Sequence, residues 1–468
     1  MDSLFFLKAL TLFAGFYMAW NIGSNDVSNA MGTSVGSKAL TLTHAVILAA
    51  ILEFSGAFFL GSHVSETIQS DIIDLAYFQN SPLYFILGMT GALLATGIWL
   101  NIASYFKLPI STTHAIIGAI AGFGIIWGGF AAVQWGQIGY IVLSWVISPL
   151  LSGIIAFLIF SLIQKKILYN LNPIQAAKNL IPIFIFFVVL IFTFSLIYNG
   201  LGTLHLNLSF WHSLALSVAA GLFSWLVVFA LTRKITITAC NIKRPAHPIQ
   251  LQLLEKAYHN TMQENSAEGQ NKQAELLKEI EELKLTIQNQ SQYQAASSEY
   301  HRIEKSFAWL QILSAALVAF AHGANDVANA IGPISAVFST MKAHSIHFNP
   351  NIPLWILILG GVGIVIGLAT WGWRVIETIG KKITELTPTR GFSAEFSAAI
   401  TILFASKLGL PISTTHALVG AIFGVGLARG IKALNLKTLK DIVLSWIATI
   451  PICMVLSILV FYILKFFF

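Results

Sequence analysis

The chain has 468 residues, 56% of them hydrophobic and only 10% charged, with a mean hydropathy of +0.76. That is too apolar for a soluble globular protein and implies an all-α polytopic membrane protein in contact with the lipid bilayer. Two cysteines, Cys240 and Cys453, exclude a disulfide framework or a zinc spacing, and the net charge of +7 follows membrane topology and implies no nucleic-acid partner.

Twelve apolar segments are predicted to cross: 4–32, 42–61, 82–105, 109–132, 138–163, 179–200, 208–232, 306–335, 353–373, 391–408, 411–431 and 439–467. The first lacks a preceding basic leader and reads as a retained span. It turns polar and small at Asn21, Gly23, Ser24, Asn25, Asp26, Ser28, Asn29 and Gly32, where the backbone is expected to unwind inside the protein. The second carries Glu53, and the fifth carries Ser144 with Trp145, read as an interface anchor. Segments 6 and 7 have no counterpart elsewhere. From Arg233 to Lys305 the composition turns to Gln, Glu, Lys and Asn. There Leu276, Leu277, Ile280, Leu283 and Ile287 recur at helical spacing, with a second helix expected over 250–263. Segment 8 carries His322, Asn325, Asp326 and Asn329, and segment 10 carries Glu395.

The core LPISTTHAIIGAIAGFG at Leu108 to Gly124 returns as LPISTTHALVGAIFGVG at Leu410 to Gly426, identical at thirteen of seventeen positions. NDVSNAMG at Asn25 matches NDVANAIG at Asn325, and IVLSW at Ile141 matches IVLSW at Ile442, in the same order. The chain is therefore a duplication. If each segment crosses once, 23 of the 27 Lys and Arg residues fall on one side. The positive-inside rule makes that side the cytoplasm, with both termini outside and the 233–305 loop cytoplasmic. Seven crossings separate equivalent positions, so the copies are inverted repeats with broken helices, as in secondary transporters. The division is a first repeat at 1–163, two extra helices at 164–232, the helical loop at 233–305 and a second repeat at 306–468. Re-entrant hairpins at segments 4 and 11 are the alternative.

Only Asp26, Glu53, Asp326 and Glu395 among the acidic residues lie well inside the predicted spans, without Lys or Arg beside them. A central charge costs about 2.5–3.5 kcal/mol, so these groups are expected to be protonated or to hold cations. With Asn29 and Asn329 they offer hard oxygen ligands for Na+, and the same carboxylates carry H+ equally well. Ser111, Thr112, Thr113 and Ser413, Thr414, Thr415 place hydroxyls at two exposed helix starts, which suits an oxyanion. His114 and His416 are open to three roles: anion binding, proton relay or packing.

GANDVANA together with PISTTHA in two copies resembles the inorganic phosphate transporter (PiT) family, over all twelve segments except the central loop. The resemblance implies symport of inorganic phosphate with Na+ or H+ across a bacterial inner membrane, by an oligomer without cofactors. It points to Asn25, Ser111, Thr112, Thr113, Asn325, Ser413, Thr414 and Thr415 for phosphate, and to Asp26, Asn29, Glu53, Asp326, Asn329 and Glu395 for the cation. Thr33 stands where the family pattern has Pro. Sulfate transport on the same fold, and an intramembrane hydrolase using Asp26 and Asp326, are the rival readings.

Overall fold

The computed structural model describes residues 2–106, 108–200, 208–234, 270–343, 345–346, 352–373, 375–376, 385–430 and 434–468. It is helical throughout, with no strand among the described residues beyond one isolated bridge between Ile73 and Val133. The helices are α1 (Asp2–Gly36), α2 (Leu42–Leu60), α3 (Ser62–Ser70), α4 (Pro82–Tyr105), α5 (Thr112–Gly128), α6 (Trp135–Ile163), α7 (Pro173–Ser195) and α8 (Phe210–Lys234). They continue with α9 (Gln270–Asp326), α10 (Ala328–Ala343), α11 (Leu354–Thr370), α12 (Pro388–Lys407), α13 (Thr414–Arg429) and α14 (Leu436–Phe467). Lys107 and the helix expected over 250–263 lie outside the described residues. The stretch from Gln270 is helical, as its spacing predicts, and forms the first part of α9, unbroken into segment 8.

Among the described residues, eight helices, not twelve, are long and apolar enough to cross a membrane. Segments 4, 9, 10 and 11 fall short, and two of these, 4 and 11, carry the duplicated cores. α5 folds back on α4, bringing Trp127 within 4.0 Å of Tyr84 between ring centroids. α13 folds back on α12, so that Arg429 reaches the Glu385 carbonyl at 3.2 Å. Each core thus opens the returning arm of a hairpin. α14 begins just after Arg429 and ends with Lys465 over the Tyr84 and Trp127 rings, so the open ends of the two hairpins lie at opposite ends of the molecule.

Their tips meet. Thr113 Oγ1 donates to the Ile412 carbonyl at 3.0 Å and Thr415 Oγ1 to the Ile110 carbonyl at 3.3 Å. The helices behind the tips give their depth. His114 lies against Trp446 and His416 against Trp145 through contacts to those residues' carbonyls. Each Trp stands ten residues into its helix, or about 15 Å at 1.5 Å per residue. The tips meet at that distance along α6 and α14, and segments 4 and 11 fold as the returning arms of hairpins, the alternative to separate crossings. A hydropathy window cannot distinguish the two cases.

α1 corrects a second expectation, since it stays helical straight through its polar stretch. Ser24 and Ser28 donate to the carbonyls of Asn21 and Asn25, both at 3.0 Å, and Asn21 donates to Tyr17 O at 2.8 Å. Such local bonds satisfy the side chains without unwinding the helix. The break occurs only in the other copy, at Val327 between α9 and α10, six residues before Pro333. Thr33 occupies the corresponding place in the unbroken copy.

Glycine lets the helices that carry the acids approach to backbone contact. A Cβ on Gly323 would lie 2.1 Å from the Glu53 carbonyl oxygen, and one on Gly23 would lie 2.0 Å from that of Ile364. Any larger residue at either place must push α2 or α11 away. The pairing matches the duplication, in which Ile364 stands opposite Glu53.

Candidate transport site at the hairpin tips

The site is built from two helix starts. Ser111 and Ser413 have extended backbones and act as N-caps, accepting from the amides of His114 and His416 at 3.2 Å. Thr113 and Thr415 are taken up by the cross-braces between the tips. The first-turn amides of Thr112, Thr113, Thr414 and Thr415 have no partner within their own helices, because a helix leaves its leading N–H groups free. Two positive dipole ends thus converge on one place, the chemistry of an oxyanion site without a basic residue. Beneath it His114 and His416 face each other at 4.5 Å, each covered by a buried tryptophan: Trp145 at 3.8 Å from His114 and Trp446 at 3.6 Å from His416. Trp145 is therefore a wall of the site and not an interface anchor.

The asparagines divide into two roles. Asn25 donates to Ser104 Oγ at 3.0 Å and Leu108 O at 3.2 Å, while Asn325 meets Ser406 Oγ at 2.9 Å and Leu410 O at 3.3 Å. The Asn325 amide also fits turned over, accepting from Ser406 and donating to Ile412 O and Asp326 Oδ1 at 3.1 Å. In either orientation these two residues pin the hairpin tips, although the sequence placed them on the anion. Asn29 and Asn329 reach across the halves. Asn29 Nδ2 donates to Thr415 Oγ1 at 2.8 Å and Asp26 Oδ1 at 3.3 Å, and Asn329 Nδ2 to Thr112 and Thr113 Oγ1 at 3.3 Å each.

Asp26, Glu53 and Asp326 lie together, fully buried, around a group to which the sequence reading gave no role. His322 places Nδ1 3.3 Å from Glu53 Oε1, and Nε2 3.0 Å from Asp326 Oδ2 and 3.9 Å from Asp26 Oδ2. Thr414 Oγ1 donates to Asp326 Oδ2 at 2.7 Å, tying the cluster to the second hairpin. Asp26, His322 and Asp326 each present a ligand atom within 4.8 Å of the others. Asp26 Oδ2, both Glu53 oxygens, and the amide oxygens of Asn25, Asn29 and Asn329 are buried without hydrogen-bond donors. Unpartnered hard oxygens gathered in this way fit a small cation. The available signal for His322 was its spacing of four from Asp326, which puts both on one helix face.

Glu395 does not join this cluster. Thr33 Oγ1 and Ser34 Oγ, the latter at 2.6 Å, donate to its Oε1, joined by Gln311 Nε2 at 3.2 Å, while Ser314 Oγ donates to Oε2 at 2.6 Å. It stands eleven residues before Ser406 on α12, about 16 Å along the helix from the contact with Asn325. The sequence grouped it with Asp326 because both lie inside predicted spans without Lys or Arg beside them and because the family resemblance points to both. Its surroundings, hydroxyls from α1 and α9, could not be read from its own helix.

The phosphate transporter family matches residues 22–457 of this chain. This chain belongs to that family. Among its relatives in the phosphate transporter family, one from Chlamydia muridarum is 44% identical over 99% of both chains. The inorganic phosphate transporter 2-1, chloroplastic, of Arabidopsis thaliana is 42% identical over 97% of this chain and 71% of its own length. Among solved structures, one titled the sodium-dependent phosphate transporter superposes with a TM-score of 0.80 at 35% identity, covering 99% of this chain and all of that one. Membership of the phosphate transporter family makes the chain a membrane transporter and not an enzyme.

Proposed function

We propose that this protein is a symporter of inorganic phosphate and Na+, working by alternating access between inverted repeats at 1–163 and 306–468 in a bacterial inner membrane. The observation that carries the reading is the meeting of two capped helix starts over three buried carboxylates. The tips receive the anion through the first-turn amides of Thr112, Thr113, Thr414 and Thr415, and Asp26, Asp326, Glu53, Asn29 and Asn329 receive the cation beside it. A cation among three carboxylates makes the adjacent dianion electrically acceptable, so the loaded site can move while the half-loaded one cannot. Two supports favour Na+: the unpartnered oxygens around Asp26, and a sodium-dependent phosphate transporter as structural neighbour. His322, in reach of all three carboxylates, favours H+ as the second reading.

The hairpins also bear on orientation. Removing segments 3 and 4 together, and 10 and 11 together, subtracts an even number of crossings, so equivalent positions remain separated by an odd number and the repeats stay inverted. Alternating access has support in an asymmetry between the halves. Trp145 Nε1 donates to Pro411 O at 3.0 Å, whereas the buried Trp446 Nε1 has no partner. Two copies of one framework thus sit in unequal states, as a rocking cycle requires. The extracellular placement of both termini and assembly as a homo-oligomer belong to the same proposal.

In proteoliposomes, an inward Na+ gradient is expected to drive accumulation of labelled phosphate, with a proton gradient much weaker and excess sulfate a poor competitor. The absence of uptake under either gradient would refute symport. The inverted arrangement has its own check. Gly136→Cys and Lys437→Cys, at corresponding exposed places near the starts of α6 and α14, should react with an impermeant thiol reagent from opposite faces once Cys240 and Cys453 are replaced. Labelling from one face would remove the inversion.

A further inference from the structure

A cavity of about 310 Å³ opens where α1 begins and α10 ends, lined by Lys8, Lys342, Ser335, Ser339, Phe338 and Trp355 among others. At ~30 Å³ per water it has room for a hydrated small anion. Neither lysine has a carboxylate partner among the described residues. Two ammonium groups facing one cavity repel each other unless an anion lies between them. Their position is telling as well. Under the proposed orientation this is the outer face, where the chain keeps few basic residues, and two of them share this cavity.

α10 links the cavity to the central site. Asn329, Gly332, Ser335, Ser339 and Lys342 follow one another at spacings of three or four and share one face of the helix. The row grades from the fully buried Asn329, through Ser335 at 2% exposure, to the exposed Lys342. The thirteen steps from Asn329 to Lys342 cover about 20 Å. Ile68 closes it at Gly332, where an added Cβ would come within 3.1 Å of that side chain. Cavity and central site are therefore separate in this conformation and continuous along one polar face.

We infer that this cavity binds a phosphate group, as an outer station from which inorganic phosphate passes to the hairpin tips. The inference rests on the symport reading and on this end being outside. Lys8 and Lys342 supply the charge, Ser335 and Ser339 the hydroxyls at its floor. The same chemistry would also accept the phosphate of a lipid headgroup, and the test separates the two sources.

Phosphate uptake by the double variant Lys8→Gln/Lys342→Gln is measured against wild type in proteoliposomes of phosphatidylcholine alone and with added phosphatidylglycerol. At low ionic strength the variant should show about a tenfold higher KM with unchanged kcat in both lipids. Lys8→Arg/Lys342→Arg should restore the KM, and added salt should raise the wild-type KM toward that of the Gln variant. An unchanged KM overturns the inference. A change confined to vesicles with phosphatidylglycerol overturns it too, by assigning the cavity to lipid. Wild type that accumulates no phosphate under any gradient would instead refute the symport reading beneath it.

Discussion

Asp326→Asn is expected to lower Na+-driven phosphate uptake by roughly 100-fold while leaving the fold and the amount of protein in the membrane unchanged. The asparagine keeps the side chain's volume, and its oxygen can still accept from Thr414, which approaches Asp326 Oδ2 at 2.7 Å. What it cannot supply is the charge. Removing one member of a buried charged group costs about 3 kcal/mol, and each 1.4 kcal/mol is a factor of about ten. The loss falls on the cation-loaded state, because that state alone requires the carboxylate to be ionised beside its ligand. Uptake under an inward gradient, with thermal unfolding of the same preparation as control, reads the two quantities separately. Normal uptake by this variant would remove Asp326 from the cation site, and an equal fall in thermal midpoint would make its role structural. Asp326 is the informative choice among the three acids because it alone touches both His322 at 3.0 Å and the second hairpin.

The parts of this site that were legible in the sequence are those that depend on composition and repetition. Duplicated Ser-Thr-Thr tips, and acids within the spans with no Lys or Arg beside them, are visible in one dimension because membrane burial makes each polar letter exceptional. What could not be read depends on which helices face each other. Hydropathy scores α5 alike whether it crosses or turns back, so the hairpins stood only as the alternative reading. The polar run in α1 suggested an unwound segment, yet its serines bond to carbonyls one turn away and the helix persists. His322 was passed over because its value comes from Glu53 on α2 and Asp26 on α1, brought to it by Gly323 and Gly56, whose missing side chains let α2 and α9 touch. Asn25 and Asn325 were read as ligands because of their motif, although what they bond is the chain at the hairpin tips.

Replacing Glu395 by Leu should destabilise the protein strongly, and by more than replacement with Gln. The carboxylate accepts from Thr33, Ser34, Gln311 and Ser314 and thereby fastens α1 and α9 to α12 at one buried point. Leucine fills similar space but leaves these donors facing apolar surface. Each buried donor left without a partner costs about 1–3 kcal/mol. Ser34 and Thr33 can turn back to their own helix, so the net loss expected is about 3 kcal/mol rather than the full sum. Glutamine retains one acceptor oxygen and its hydroxyl neighbours can accept from its amide, so about half of that loss is expected. The equivalent position in the first copy is Leu93, fully buried, which shows that the scaffold itself tolerates leucine there. The requirement therefore comes from the hydroxyls of Thr33 and Ser34, present where the family pattern carries Pro at the first of these places. Thermal unfolding in detergent of wild type, Glu395→Gln and Glu395→Leu should give midpoints falling in that order, and a further Thr33→Val/Ser34→Ala change should recover part of the Leu variant's loss. Equal midpoints for all three would mean that the four donors contribute nothing as a clasp, and Glu395 would return to consideration as a cation ligand.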